Sequence, residues 1–488
     1  MRRLCAPHFL SAAVLILTLA VPNHYTAQVA NHPRVREALG LLDIWMEAQQ
    51  AYERIPGASL AVVHDQELVW AKGYGYAHME AEIPATPETM YSICSISKLF
   101  TAISVLQLRD QNQLQLTDPI SKHLDWFDLQ QTYPEAGPVT IEGVLTHSSG
   151  LPREADAPYW TGPNYPFPTH EQIAERLSNQ EMLYPARTYY QYSNLGLTLA
   201  GEVLMELTGQ PWGDYVKEHI LDPLGMTNTT TEHIDKVRDG ALATGYSPIQ
   251  RHGGREVIPP YQVRGIGPAA GMLSTVEDLA KFAMWQFRTL SGQDNEILHR
   301  NTLREMQRVH FMEPDAGSTY GLGFSVSQSN GQTFVGHGGS CPGYESNLRI
   351  RPQDKIATTF MTNGRRISAS NYAQRVFDIV APAIRVAIRN PNAEYEAEPD
   401  LKRFTGIYSR PFGTESAVLI WDGELVTFGL PSNNPLNGMT RLKHINGNSF
   451  QRIRSDGNLG EEFLFEQDAD GRMLMWRNNN YSVRTDAR

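Results

Sequence analysis

Cysteine is scarce in this chain. Three in 488 residues, Cys5, Cys94 and Cys341, cannot build a disulfide framework, and the absence of any C-x-x-C pair removes zinc-ribbon and thioredoxin-type centres. Runs of one charge are missing too: 42 Lys+Arg stand against 53 Asp+Glu, a net charge of −11 with no basic cluster. Phosphate contacts need clustered Lys or Arg, so nucleic acid is excluded as a partner. No G-x-G-x-x-G follows a strand pattern, which leaves dinucleotide binding unsupported. No G-x-S-x-G exists either, because Pro342 closes the nearest match, so the nucleophile elbow of α/β-hydrolases is absent. His170-Glu171 opens a zinc-helix pattern, but Ala174 stands where the second histidine belongs.

Long apolar runs are equally rare. The one at the N-terminus, Phe9–Val21, follows Arg2 and Arg3 and is too short to span a bilayer, which takes about 20 residues. With Ala20 and Ala27 near cleavage points, residues 1–30 read as a signal peptide or, failing cleavage, an N-terminal anchor. The expectation is an exported protein, periplasmic or secreted, with no other membrane segment.

Apolar residues at helical spacing predict helices over 34–52, 95–112, 196–209, 275–290 and 369–389. Within 95–112 Leu99, Ile103 and Leu106 share a face, and Ser95 sits where an N-cap would. Alternation predicts a hairpin, Ala58–Val63 and Leu68–Ala77 around His64-Asp65-Gln66, and strands Gly321–Ser327, Thr333–Gly336, Glu345–Arg351 and Ile356–Thr362. Strands at both ends with helices and loops between suit one sheet assembled from both ends, with helices on its faces. Residues 391–400 read as a linker. Residues 401–488, with short apolar stretches between Asp-Gly and Asn-Gly turns, read as a small antiparallel β domain.

Three short patterns carry chemistry. In Ser95-Ile96-Ser97-Lys98 the serine and lysine share a helix face, so the Lys98 ammonium can reach a hydroxyl that needs a neighbouring base to become nucleophilic. In Tyr192-Ser193-Asn194 a phenol beside that ammonium could be stabilised as its anion and shuttle a proton, while the Asn194 amide could hold a substrate carbonyl or the lysine. In His337-Gly338-Gly339, after an apolar strand, the glycines let a substrate backbone lie against the strand edge. Lys98 alone among the lysines has a serine three positions before it, and Tyr192 alone among the tyrosines has an asparagine two positions after. His252-Gly253-Gly254 also matches the third pattern but lies in a turn-rich region and is set aside. His147 reads as a loop histidine bonded to backbone.

The ordered set Ser-x-x-Lys, Tyr-x-Asn and His-x-Gly, with GASLAVV and WAKGYGYA (57–77), LTHSSGLP (145–152) and GPAAGMLSTVEDLAKF (267–282), resembles the serine β-lactamase and penicillin-binding-protein superfamily. It is most similar to the class C-like branch, with its peptidases of family S12 and family VIII esterases. LKRFTGIYS (401–409) is similar to the start of the lipocalin-like module often appended to such hydrolases. The resemblance implies an α/β (α+β) fold: an antiparallel sheet flanked by helices, a helical and loop-rich subdomain, and a C-terminal β-barrel-like domain, with the hydrolase domain over 31–390. It implies an acyl-enzyme on Ser95, with Lys98 and Tyr192 sharing the base work. The backbone N–H groups of Ser95 and Ser340 would form the oxyanion hole, and Asn194, His337, Gly338 and Gly339 would bind substrate. No metal or other cofactor is implied.

The expected function is hydrolysis of amide or ester bonds in a small-molecule or peptide substrate, D-amino-acid derivatives included. Histidine where class C β-lactamases carry the lysine of Lys-Thr-Gly disfavours efficient β-lactam hydrolysis. The alternative is an idle receptor that uses the same pocket to hold penicillin or peptidoglycan. Cys94 and Cys341 flank the first and third patterns. They are expected as two separate buried thiols, and a bridge would need Cα atoms within about 7 Å.

Overall fold

A computed structural model describes residues 29–231, 240–293, 295–315, 317, 319–392 and 399–485. The expected export segment therefore falls almost wholly outside the described residues, as does most of the expected linker. Helix Pro33–Tyr52 buries Val35, Ala38, Leu41, Leu42, Trp45 and Met46, one stripe at helical spacing. The chain then turns through a hairpin, Gly57–His64 and Glu67–His78. These two strands join the short strand Ile83–Pro84 and six strands from residues 311–362 in a nine-stranded antiparallel sheet.

Across that sheet the order runs Glu67–His78, Gly57–His64, Ile356–Thr362, Tyr344–Arg351, Gln332–Cys341 and Ser325–Ser329, with short strands at both edges. Strand Ile356–Thr362 is buried at every position, as a central strand covered on both faces should be. On one face lie Pro33–Tyr52 and the last long helix, Ala369–Arg389. The other face carries helix Val276–Ser291, capped by Thr275 and stopped by Gly292 in the left-handed region. Helix Ser97–Asp110 packs beyond it, with Phe100 stacked on Phe282 at 4.7 Å between ring centroids.

Helix Ser97–Asp110 departs from the expectation of a single apolar face. Every residue from Ser97 to Leu108 is buried, because helices and loops of the middle region surround it. Nor does Ser95 cap it: the α-helix begins at Ser97, and Ser95 lies in a separate one-turn helix, Cys94–Ile96. The expected strand Gly321–Ser327 is broken at Gly323, which has φ +78°, into Thr319–Tyr320 and Ser325–Ser329. The strand expected to end at Gly336 continues through His337, Gly338 and Gly339 to Cys341.

Residues 406–485 close an eight-stranded antiparallel barrel. Tyr408, Phe450, Phe463 and Phe465 fill its interior, so side chains occupy the space where wider barrels hold ligands. From its outer face Ala417, Leu419, Val426, Phe428 and Leu430 join the apolar layer of Pro33–Tyr52 and Ala369–Arg389. The barrel therefore sits across the sheet from Ser95 and does not cover it. Among the described residues no helix is long and apolar enough to cross a membrane.

Candidate active site

Cys94, Ser95 and Ile96 form a tight turn between a short strand, Tyr91–Ser92, and the buried helix. Cys94 takes φ +50°, in the left-handed region, which is unusual for a side chain-bearing residue. Ser97 Oγ ties this turn down by donating to the Cys94 carbonyl at 2.7 Å, and it accepts the Met272 N–H at 3.0 Å. Ser95 alone of residues 91–100 retains partial exposure.

Lys98 has no exposed surface. Its Nζ lies 2.7 Å from Asn194 Oδ1, 2.7 Å from the Ala269 carbonyl and 3.2 Å from Ser95 Oγ. Burial holds its pKa well below the usual lysine range; the Glu154 charge pulls it back up and Arg153 pushes it further down. A neutral amine has two N–H bonds and one lone pair. Asn194 Oδ1 and Ala269 O can only accept, so they take the two N–H bonds, and the lone pair is left for the Ser95 hydroxyl.

Tyr192 and Asn194 arrive together because Ser193 caps helix Asn194–Thr208, accepting the Gly196 N–H at 2.8 Å and donating to Pro152 O at 2.6 Å. The Lys98 Nζ lies 4.9 Å from the centre of the Tyr192 ring, and the Arg153 guanidinium 4.8 Å from it. Burial pushes the Tyr192 phenol up, opposed by its contact with the Ser95 hydroxyl. Burial thus works against both the phenolate and the ammonium of the expectation.

Asn194 holds the lysine through Oδ1, one of the two roles expected of it, and its Nδ2 donates to both carboxylate oxygens of Glu154, at 2.9 and 3.0 Å. Glu154 also accepts from the Tyr159 hydroxyl. The sequence reading missed Glu154, although it stands two residues beyond LTHSSGLP. His147 supports Tyr192 from behind, its ring centroid 4.3 Å away and its Nδ1 taking the Ser193 N–H at 3.2 Å, so the backbone bond expected of it is present.

His337 is buried, its Nδ1 2.6 Å from Gly338 O and its Nε2 3.2 Å from the Tyr320 hydroxyl. Burial first and the Lys98 charge second push its pKa down to about 4, so it is neutral at pH 7. Both ring nitrogens are engaged within the protein. Gly338 is exposed along the strand edge. Gly339 is where the strand meets the turn that carries Ser95, since a Cβ there would come within 2.1 Å of Ile93 O and 2.2 Å of Ser346 Oγ. Ser340 is exposed at the same edge and accepts from Arg365, whose guanidinium also pairs with Glu345 at 2.5 Å.

Cys94 and Cys341 are joined, with Cα atoms 5.8 Å apart. The expectation of two separate thiols is wrong, because the turn at Ser95 and the end of strand Gln332–Cys341 lie side by side, a proximity that no pattern along the chain reveals.

The Beta-lactamase family model matches residues 42–379, and the chain belongs to that family. It is 29% identical over 361 residues to Beta-lactamase-like protein 2 of Dictyostelium discoideum, covering 72% of this chain and 64% of that protein. It is 30% identical over 331 residues to the unguisins hydrolase ungD' of Aspergillus campestris, covering 65% of this chain and 60% of the relative. The chain thus spans about three fifths of the length of the curated relatives it matches. The octameric penicillin-binding protein homologue from Pyrococcus abyssi superposes with a TM-score of 0.61 at 26% identity, over 91% of this chain and all of that one.

Proposed function

We propose that the protein is a serine hydrolase that transfers an acyl group to Ser95 from an amide or ester, D-amino-acid amides and peptides among them. The observation that carries this reading is the contact of Lys98 Nζ with Ser95 Oγ at 3.2 Å, with the other two lysine contacts fixed on pure acceptors. As Ser95 Oγ attacks the substrate carbonyl carbon, its proton passes to Lys98. The oxyanion lies against the backbone N–H groups of Ser95 and Ser340, an arrangement of the kind worth about 10²–10³ in rate per donor. Tyr192, still protonated, relays a proton from Lys98 to the departing nitrogen or oxygen. Water then attacks the acyl-enzyme by the reverse route.

His337 offers no permanent positive charge, so a β-lactam carboxylate gains little there and lactam turnover is slow. Membership of the Beta-lactamase family and likeness to a protein named as a hydrolase support the reading. The buried disulfide favours an exported protein in an oxidising compartment. The test is a panel of a short-chain nitrophenyl ester, a D-alanyl amide and a chromogenic cephalosporin, each with wild type and Ser95→Ala. Ester or amide turnover above cephalosporin turnover, lost in the variant, is expected. Binding of these compounds without turnover would contradict it.

A further inference from the structure

The disulfide stands at a particular place. Cys94 directly precedes Ser95 and Cys341 directly follows Ser340, so the bridge joins the chain neighbours of both residues whose N–H groups are assigned to the oxyanion hole. The two segments meet backbone to backbone at Gly339, where no side chain fits. That close approach has a conformational cost: the strand carries Gly336, Gly338 and Gly339 within four residues, and glycine-rich backbone is loose. Ile93 is held from two directions, its carbonyl accepting at 3.0 Å from Oγ of Ser346, which pairs with Gly339 in the neighbouring strand, and its N–H donating to Met272 O at 3.0 Å. The bridge acts beyond these bonds, next to the N–H groups themselves. Both cysteines are buried, Cys94 fully and Cys341 at 4% exposure.

We propose that Cys94 and Cys341 are positioning residues for catalysis, their disulfide holding the N–H groups of Ser95 and Ser340 at the spacing an oxyanion requires. The proposal rests on the acyl-transfer reading. An oxyanion exists only once the carbonyl has been attacked, so loss of the bridge lowers kcat and leaves KM nearly unchanged. A merely structural bridge would instead lower the unfolding temperature without moving kcat.

The experiment compares wild type with Cys341→Ala on the best ester of the panel, below the unfolding temperature of both proteins. The expected result is a kcat 10- to 100-fold lower with KM within about threefold. A kcat within twofold of wild type overturns the proposal. Because the variant could fail to fold, wild-type chain produced with both thiols free is also assayed before and after treatment with oxidised glutathione. Two thiols become one disulfide as one oxidised glutathione becomes two reduced molecules. A matching rise in kcat on oxidation is expected, and an unchanged kcat overturns the positioning role alone. An oxidised wild type that turns over no ester or amide overturns the acyl-transfer reading, and the positioning role with it.

Discussion

Asn194 Nδ2 donates to both carboxylate oxygens of Glu154, at 2.9 and 3.0 Å, and this turns its oxygen toward Lys98. A buried amide could face either way; the carboxylate decides which. Glu154 thus acts on Lys98 twice, by orienting its partner and by raising its pKa through charge.

Glu154→Gln separates the two effects. Lys98 must be neutral to accept the serine proton, so kcat/KM falls as pH drops through the lysine pKa. The Glu154 charge raises that pKa, so its removal moves the acid limb to lower pH. Glu154→Ala also frees the Asn194 amide to present N–H groups to the lysine, and kcat falls about 10- to 100-fold. A pH–rate profile for both variants checks this; an acid limb that stays in place contradicts it.

His337 makes stability depend on pH. Its pKa is depressed from 6.5 to about 4 in the folded chain, so the unfolded chain binds a proton first as pH falls. The stability this provides is complete above about pH 6.5 and is lost progressively down to about pH 4, on the order of 3 kcal/mol in all. His147, also held low by burial, adds in the same direction. Unfolding temperatures of wild type and His337→Gln between pH 4 and 7.5 should converge toward low pH; parallel curves would show that His337 contributes none of this slope.

The barrel packs on the layer of the two outer helices. Phe428 is 3% exposed in the layer shared with the two outer helices, and Trp45 Nε1 donates to Ser432 O at 2.6 Å across the same contact. Phe428→Ala should cost about 3 kcal/mol, seen as a lower unfolding temperature, with kcat within twofold of wild type. A large fall in kcat in the folded variant would place the barrel in the catalytic machinery.

Gly339→Ala tests the backbone approach directly. Its Cβ would meet a carbonyl oxygen that cannot swing aside, so the strand must move away from the nucleophile turn. A loss of about 1–3 kcal/mol in stability and at least tenfold in kcat is expected. A variant with wild-type activity would show that the spacing at this point is unimportant.

Much of this was legible along the chain, for physical reasons. Strands Gly57–His64 and Ile356–Thr362 showed as apolar runs because they are buried almost throughout, and helix Ala369–Arg389 showed its period because one face of it is buried. Ser95 with Lys98, Tyr192 with Asn194, and His337 with its glycines could be picked out because each pattern is local, within three residues along the chain. Glu154, Ala269 and the Cys94–Cys341 bridge did not, because each reaches the site only through tertiary packing across 40 to 247 residues. The charge states were hidden for the same cause. A lysine at i+3 from a serine reads as an ammonium until the helix around it proves buried on every side.

The central claim is that Ser95 becomes acylated. Mass spectrometry of the intact protein, quenched in acid during turnover of the best ester or amide, should show one added acyl group. Proteolysis should place it on the peptide containing Ser95, with no such adduct in Ser95→Ala. Turnover without an adduct at Ser95, or an equal adduct in the variant, would contradict the account.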